Sequence, residues 1–123
     1  MSCAQDTKVG PVGGSLHQGN GRLLEPSQPL ELPSHYFSRD ERGRFSNGLV
    51  TVVYELEDTV CNGGGFGFLA GSHRWSHPVP VGWRDSATAG VHPMVTHFVA
   101  KAGDALIFTE ALQHLTLPWT VEE

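Results

Sequence analysis

The sequence predicts an all-β fold of the sandwich or jelly-roll type. Its 123 residues include 15 glycines and 8 prolines, a composition that suits many short strands joined by tight turns better than a helical bundle. Short runs rich in β-branched residues alternate with Gly-rich turns over residues 48–119, and no segment keeps a helical period beyond about two turns. The length fits one domain with one core of modest size.

The clearest predicted strand spans residues 48–58, where β-branched residues alternate regularly. Its even-numbered apolar face is expected to point to the core; that face comprises Val50, Val52, Tyr54 and Leu56. The Gly-rich turn 58–65 should then lead into 66–69 as the return strand of a hairpin. Further strands are predicted at 95–99, 105–109 and 114–119, with a tight turn at 101–104.

The chain before residue 48 is less regular. Residues 1–14 are predicted to be a loose N-terminal segment, and 15–123 to form the domain. Residues 15–18 have the pattern of a strand fragment. The Pro-rich stretch 19–47 and the stretch 75–93 are predicted to be long irregular loops, which in compact domains are usually lids or binding loops.

Composition excludes several classes of function. The net charge of −5 provides no basic surface, so neither nucleic acid nor an anionic membrane is an expected partner. No apolar run has the length of a membrane span or the form of a signal peptide, which predicts an intracellular, cytoplasmic protein. Cys3 and Cys61 form no disulfide framework, and a disulfide between them is not expected. Seven histidines are a first indication of metal chemistry.

Two stretches resemble the phytanoyl-CoA dioxygenase family. Residues 54–74, YELEDTVCNGGGFGFLAGSHR, resemble its L-x-D-t … G-G-f … P-G-S-H-K signature. Residues 102–119, AGDALIFTEALQHLTLPW, resemble its A-G-D-a-l-i-F … l-x-H-g-t-l-P-W signature. The resemblance extends from about residue 17 to the C-terminus. It implies a double-stranded β-helix, the cupin-like jelly roll, in an incomplete form. It also implies an oxygenase that uses Fe(II), 2-oxoglutarate and O2 in hydroxylation-type chemistry on a small organic molecule.

The resemblance also implies an iron site made by a His-x-Asp/Glu … His set, which leaves positions open for co-substrate and oxygen. The distal histidine maps onto His114. The proximal one maps onto His17, with His35 in the Pro-rich stretch as its competitor. Because residues i and i+2 of a strand face the same side, a carboxylate is expected at position 19, yet the sequence has Gly19.

Three interpretations of Gly19 remain open. In the first, the third iron ligand comes from another part of the chain, with Glu25 or Asp40 as donors. In the second, a halide or water occupies the third ligand position, as in related halogenating oxygenases. In the third, tight iron binding and catalysis have been lost. A subgroup of the family with His-x-Gly at this place also resembles the stretch.

A second departure is that no Arg follows Trp119, where the family has one that pairs with the far carboxylate of 2-oxoglutarate. This predicts a shortened or fragmentary member.

Other site residues follow from the same resemblance. Ser72 and His73 are expected to contact substrate near the barrel mouth, with a purely local role in a turn as the alternative. Thr109 and Trp119 are expected to contact 2-oxoglutarate, with packing at the end of the barrel as the alternative for Trp119. Two hypotheses result: an oxygenase with iron on His17 and His114, or a catalytically inactive, incomplete jelly-roll binding module. The sequence identifies neither the substrate nor the oligomeric state.

Overall fold

The computed structural model describes residues 14–19, 21–24, 36–40, 42, 44–61, 63–75, 77, 79–84 and 91–118. Over these ranges the chain is all-β, as predicted, and the antiparallel arrangement of most strands agrees with a jelly-roll fold. The strands are β1 (Gly21–Leu24), β2 (Phe37–Asp40), β3 (Phe45–Asn47), β4 (Val50–Tyr54), β5 (Gly65–Leu69), β6 (Val95–His97), β7 (Ala105–Thr109) and β8 (His114–Leu117). Two single turns of 3-10 helix lie at Ser72–Arg74 and Val81–Trp83.

One three-stranded antiparallel sheet, in the order β6–β5–β8, carries the hydrophobic core. One face of this sheet packs its large apolar side chains with two residues from outside the sheet. The buried members of the cluster are Leu16, Leu69, Val79, Val95, Leu115 and Leu117. Gly67 lies in the middle of this face, and a Cβ there would come within 3.0 Å of Leu115 and Leu117 side chains. Its lack of a side chain therefore lets the leucines of β8 pack directly on the backbone of β5.

The second sheet is the antiparallel pair β4–β7, and its burial contradicts the sequence prediction. The even-numbered face of β4, expected in the core, is exposed: Val52 is 45% and Tyr54 is 68% accessible. The odd-numbered residues Thr51 and Val53 are the half-buried ones. Both faces of this strand carry β-branched residues, so alternation alone does not identify the face that meets the other sheet.

The predicted hairpin between residues 48–58 and 66–69 is also wrong. β4 pairs with β7, whereas β5 lies in the other sheet between β6 and β8. The segment between β4 and β5 therefore crosses from one sheet to the other. Gly64 and Gly65 adopt φ angles of 96° and 99° there, a region that favours glycine. The Gly-rich sequence does mark a change of direction, but the turn does not join paired strands.

The stretch 19–47, predicted to be irregular, contains a third sheet. β1 pairs in parallel with β2, which pairs antiparallel with β3. Three of its prolines, Pro26, Pro29 and Pro33, lie outside the described residues, between β1 and β2. The prediction of an irregular loop was based on the prolines and charged residues of this stretch. Short strands form all the same, on either side of the segment that contains the prolines.

The predicted turn at 101–104 is confirmed. The Asp104 N–H donates to the Lys101 carbonyl at 2.9 Å, and Gly103 has a φ of 93°.

The prediction about the cysteines is wrong, because Cys61 is disulfide-bonded. Among the described residues there is no helix with the length and apolarity required to cross a membrane. Residues 1–13 of the predicted loose segment lie outside the described ranges.

Candidate metal centre

The segment 14–19 lies antiparallel to the chain that leads into β8, and it brings the two predicted histidine ligands together. His17 and His114 form a β-bridge with reciprocal backbone hydrogen bonds of 2.9 and 2.8 Å. Two residues further along, the Gly19 N–H donates to the Glu110 carbonyl at 2.8 Å. The strand fragment predicted at 15–18 is thus present as a single bridge, and it acts as an extra edge beside β8.

The two imidazole rings lie with their centroids 4.4 Å apart and their planes tilted by 54°. Nδ1 of His17 lies 2.7 Å from the Ser15 carbonyl oxygen, and Nδ1 of His114 lies 2.8 Å from the Leu112 carbonyl oxygen. A carbonyl oxygen can only accept, so each Nδ1 donates its proton, and in a neutral ring Nε2 is then the nitrogen with the lone pair. Histidines that bind metals are commonly oriented in this way by a hydrogen bond from the other ring nitrogen.

His114 lies at the inner side of the space between the two main sheets. Its ring stacks on Phe66 of β5 at 5.5 Å and contacts Phe108 of β7 at 4.9 Å. Burial lowers the pKa of His114 below its ordinary value; nearby His17 acts in the same direction, while the Leu112 carbonyl and Glu110 oppose it. The neutral ring, which is the form that binds a metal, is therefore favoured.

Glu110 occupies the space where a side chain at position 19 would be. A Cβ built on Gly19 would come within 2.7 Å of Oε2 and of Cβ of Glu110, and within 2.5 Å of the Tyr36 ring. The other carboxylate oxygen, Oε1, accepts a hydrogen bond from the Thr51 hydroxyl. Glu110, from the turn after β7, thus places a carboxylate next to Gly19.

The donor set fits a divalent metal in part. Imidazole nitrogens such as those of His17 and His114 are ligands that suit Fe(II). Across the described ranges, however, no group of three His, Cys, Asp or Glu side chains is arranged to hold a metal ion. Of the other donors considered from the sequence, His35 and Glu25 lie outside the described residues, and of Asp40 only the backbone is described, at the end of β2.

Ser72 is fully buried, and its hydroxyl accepts a hydrogen bond from the Gln113 N–H at 2.8 Å. The Gln113 side chain in turn donates to Gln18, the neighbour of His17. This chain of contacts fixes the residues next to both histidines. It gives Ser72 a local structural role, the alternative considered from the sequence, while His73 beside it is half-buried.

The structure does not bring Thr109 together with the histidines. In β7 it follows Phe108, whose ring contacts His114, and successive strand residues point to opposite faces. Its hydroxyl donates to Asn47 of β3. Trp119 lies outside the described residues.

The sequence named the two histidines that the structure brings together, but it did not indicate that Glu110, bonded to Thr51, lies next to Gly19. The available signal for Glu110 was a carboxylate four residues before His114, within the family-like block. Residues 110–113 form a turn rather than a regular element, so no periodicity predicted where that carboxylate would lie.

The comparisons agree with the geometry. A family model described as phytanoyl-CoA dioxygenase (PhyH) matches residues 2–120, nearly the whole chain. Searches among curated proteins and among solved structures each found no match.

Proposed function

Since the chain belongs to the phytanoyl-CoA dioxygenase family, we propose that it is an Fe(II)- and 2-oxoglutarate-dependent oxygenase of a small organic substrate. The observation that carries the proposal is the bridge between His17 and His114, in which both Nδ1 atoms donate to carbonyls. In this arrangement the Nε2 atom of each ring is the nitrogen that remains to bind a metal, and the two ring centroids are 4.4 Å apart.

The proposed reaction is a balanced four-electron reduction of O2. 2-Oxoglutarate loses CO2 and becomes succinate with one oxygen atom, and the other oxygen atom enters a C–H bond of the substrate as a hydroxyl. The oxygen chemistry belongs to the bound iron and its co-substrate. The chain's own residues bind and orient the reactants and exclude water from them.

Two features of the site support these roles. Phe66 and Phe108 cover the ring of His114 and give its surroundings an apolar character, which limits the access of water to a reactive centre. His17 is exposed, so the opposite side of the histidine pair is open to small molecules such as O2. Ser72, through Gln113, holds the backbone that presents His114.

The test is the conversion of 2-oxoglutarate to succinate by the purified chain. This conversion can be measured without knowing the organic substrate. We expect succinate to form only when Fe(II) and O2 are both supplied. His17→Ala and His114→Ala should abolish it, whereas His77→Ala, a substitution at an exposed histidine outside the pair, should not. Failure of the unaltered chain both to form succinate and to bind Fe(II) anaerobically would contradict the proposal.

A second candidate function is a catalytically inactive jelly-roll binding module. Gly19 in place of the expected carboxylate favours it, as does the finding that no three ligands are arranged to hold a metal over the described ranges. The same assay separates the two candidates. Iron binding without succinate formation, at saturating 2-oxoglutarate, supports the binding module.

A further inference from the structure

The contact between the two histidines depends on a single β-bridge, and the backbone pairing on either side of it is irregular. A regular antiparallel ladder through this bridge would continue with residues 15 and 116 on one side and with 19 and 112 on the other. Instead, the Gly14 N–H donates to the Thr116 carbonyl, and the Gly19 N–H donates to the Glu110 carbonyl. The backbone of segment 14–19 is therefore paired too briefly to specify its register by itself.

A side-chain contact lies on the reverse face of the same bridge. Successive residues of a strand point to opposite faces, so Gln18 and Gln113, which neighbour the two histidines, project away from the imidazole rings. The Gln113 side-chain amide donates a hydrogen bond to Oε1 of Gln18. Gln113 is only 3% exposed, whereas Gln18 is exposed. The observed register therefore gives a buried donor its acceptor.

Gln113 is held in place without help from segment 14–19. Its backbone N–H donates to the Ser72 hydroxyl at 2.8 Å, and its carbonyl accepts from the Leu69 N–H at 2.9 Å. Ser72 is fully buried at the start of a 3-10 turn, and Leu69 is the last residue of β5. The core sheet thus presents the Gln113 amide at a fixed place to whichever residue of segment 14–19 lies opposite.

We propose that Gln113 is a positioning residue, which selects through Gln18 the register in which the two histidines meet. A shift of segment 14–19 by one residue would turn His17 to the other face. A shift by two residues in one direction would set Leu16 against Gln113, and an aliphatic side chain offers a buried amide no acceptor. A shift by two in the other direction would bring Gln18 into the place of Leu16, which is 3% exposed in the hydrophobic core.

The importance of this register for catalysis rests on the proposed function, because the two histidines are the proposed iron ligands. The register itself is a property of the fold without metal. Apolar packing tolerates displacement, whereas a buried amide is satisfied only by an acceptor within hydrogen-bonding distance and direction. Two tasks are thus divided between neighbours: Leu16 anchors segment 14–19 in the core, and the glutamine pair sets its register.

The experiment compares two substitutions at Gln18, an exposed position. Gln18→Met removes the acceptor at nearly equal length, and Gln18→Glu keeps an acceptor oxygen. NMR of the metal-free chain measures the nuclear Overhauser effect between the two imidazole rings and the hydrogen exchange of the His17 and His114 amides. We expect Gln18→Met to lose the ring-to-ring effect and to accelerate exchange about tenfold or more. We expect Gln18→Glu to retain the effect and the slow exchange.

The control is Thr96→Met, which places the same side chain at an exposed position of β6 in the same sheet and should change neither measurement. If Gln18→Met behaves like the unaltered chain, or if Gln18→Glu behaves like Gln18→Met, the inference is overturned. Succinate formation is measured separately. A Gln18→Met chain that loses the ring contact but forms succinate at the unaltered rate would overturn the positioning role. If the unaltered chain neither binds Fe(II) nor forms succinate, the proposed function is overturned, while the NMR measurements still decide the register.

Discussion

The β6–β5–β8 sheet and the β4–β7 pair are built from similar residues but are buried very differently. In the first, Leu69 and Leu115 are each 2% exposed. In the second, Val52 and Ile107 lie opposite each other across the ladder and are 45% and 66% exposed. Both contain strands in which large apolar residues alternate with other residues. The difference shows that this pattern predicts a strand well, but that burial depends on what packs against each face.

The candidate metal centre lies where these two regions meet. β8 contributes His114, whose ring contacts Phe66 of β5 and Phe108 of β7. The apolar rings of Phe66 and Phe108 contact each other across the gap at 4.9 Å. The core sheet thus fixes the histidine, while the more exposed pair contributes Phe108, which packs on its ring.

The largest expected effect compares two Leu→Ala substitutions. Leu69→Ala, in the core sheet, should lower the free energy of unfolding by about 2–5 kcal/mol because it leaves a cavity. Leu56→Ala, after β4 and 87% exposed, should change it by less than about 0.5 kcal/mol. Urea denaturation followed by tryptophan fluorescence measures both. Equal losses would mean that the two regions contribute alike to stability, against the burial that separates them.

The turn that joins the two regions should have an intermediate effect. Gly103 has a φ of 93° with open space around it, so Gly103→Ala should cost about 1–2 kcal/mol from backbone strain alone. Gly82 also has open space but is not among the positive-φ glycines, so Gly82→Ala should cost nothing measurable. Thermal denaturation of the two variants gives the comparison. A neutral Gly103→Ala would show that the turn readily adopts another conformation.

A smaller effect depends on pH. Burial lowers the pKa of His114 from the ordinary value of 6.5, so in the unfolded chain this histidine takes up a proton first as the pH falls. The free energy of unfolding should therefore decrease as the pH drops below about 6.5, until the folded-state pKa is passed. His114→Gln should flatten this part of the profile, measured by urea denaturation from about pH 7 to about pH 5.

The control for the pH profile is His77→Gln, at an exposed histidine that stacks on Trp75. This substitution should leave the dependence of the free energy of unfolding on pH as it is in the unaltered chain. A slope unchanged by His114→Gln would show that burial of this ring does not control the acid sensitivity of the fold.

The smallest effect is expected on the outer face of β4–β7. Ile107→Thr keeps a β-branched side chain at a position that is 66% exposed, so the free energy of unfolding should change by less than about 0.5 kcal/mol. The same denaturation measurement applies. A loss near that of Leu69→Ala would mean that this face is covered when the protein is in solution.

The sequence predicted the strands better than their partners. The β-branched run at β4 and the Gly103 turn are local signals, and both are present. The hairpin failed because a glycine-rich turn specifies a change of direction and not the sheet in which the next strand pairs. At the candidate site, the resemblance named His17 and His114, and the structure brings these two residues together in a β-bridge. Nothing in the sequence indicated that Glu110 lies next to Gly19, because that contact depends on a turn and on tertiary structure that no local pattern encodes.

The bridge between His17 and His114 has a kinetic consequence. These residues lie near opposite ends of the described chain, so their pairing closes one of the longest loops in the fold, and the entropic cost of closure increases with loop length. Contacts of this kind generally slow folding. We therefore expect the metal centre to assemble together with the global fold rather than in any local hairpin. A ligand that binds both histidines would act on refolding as a cross-link acts, by holding a contact between distant parts of the chain.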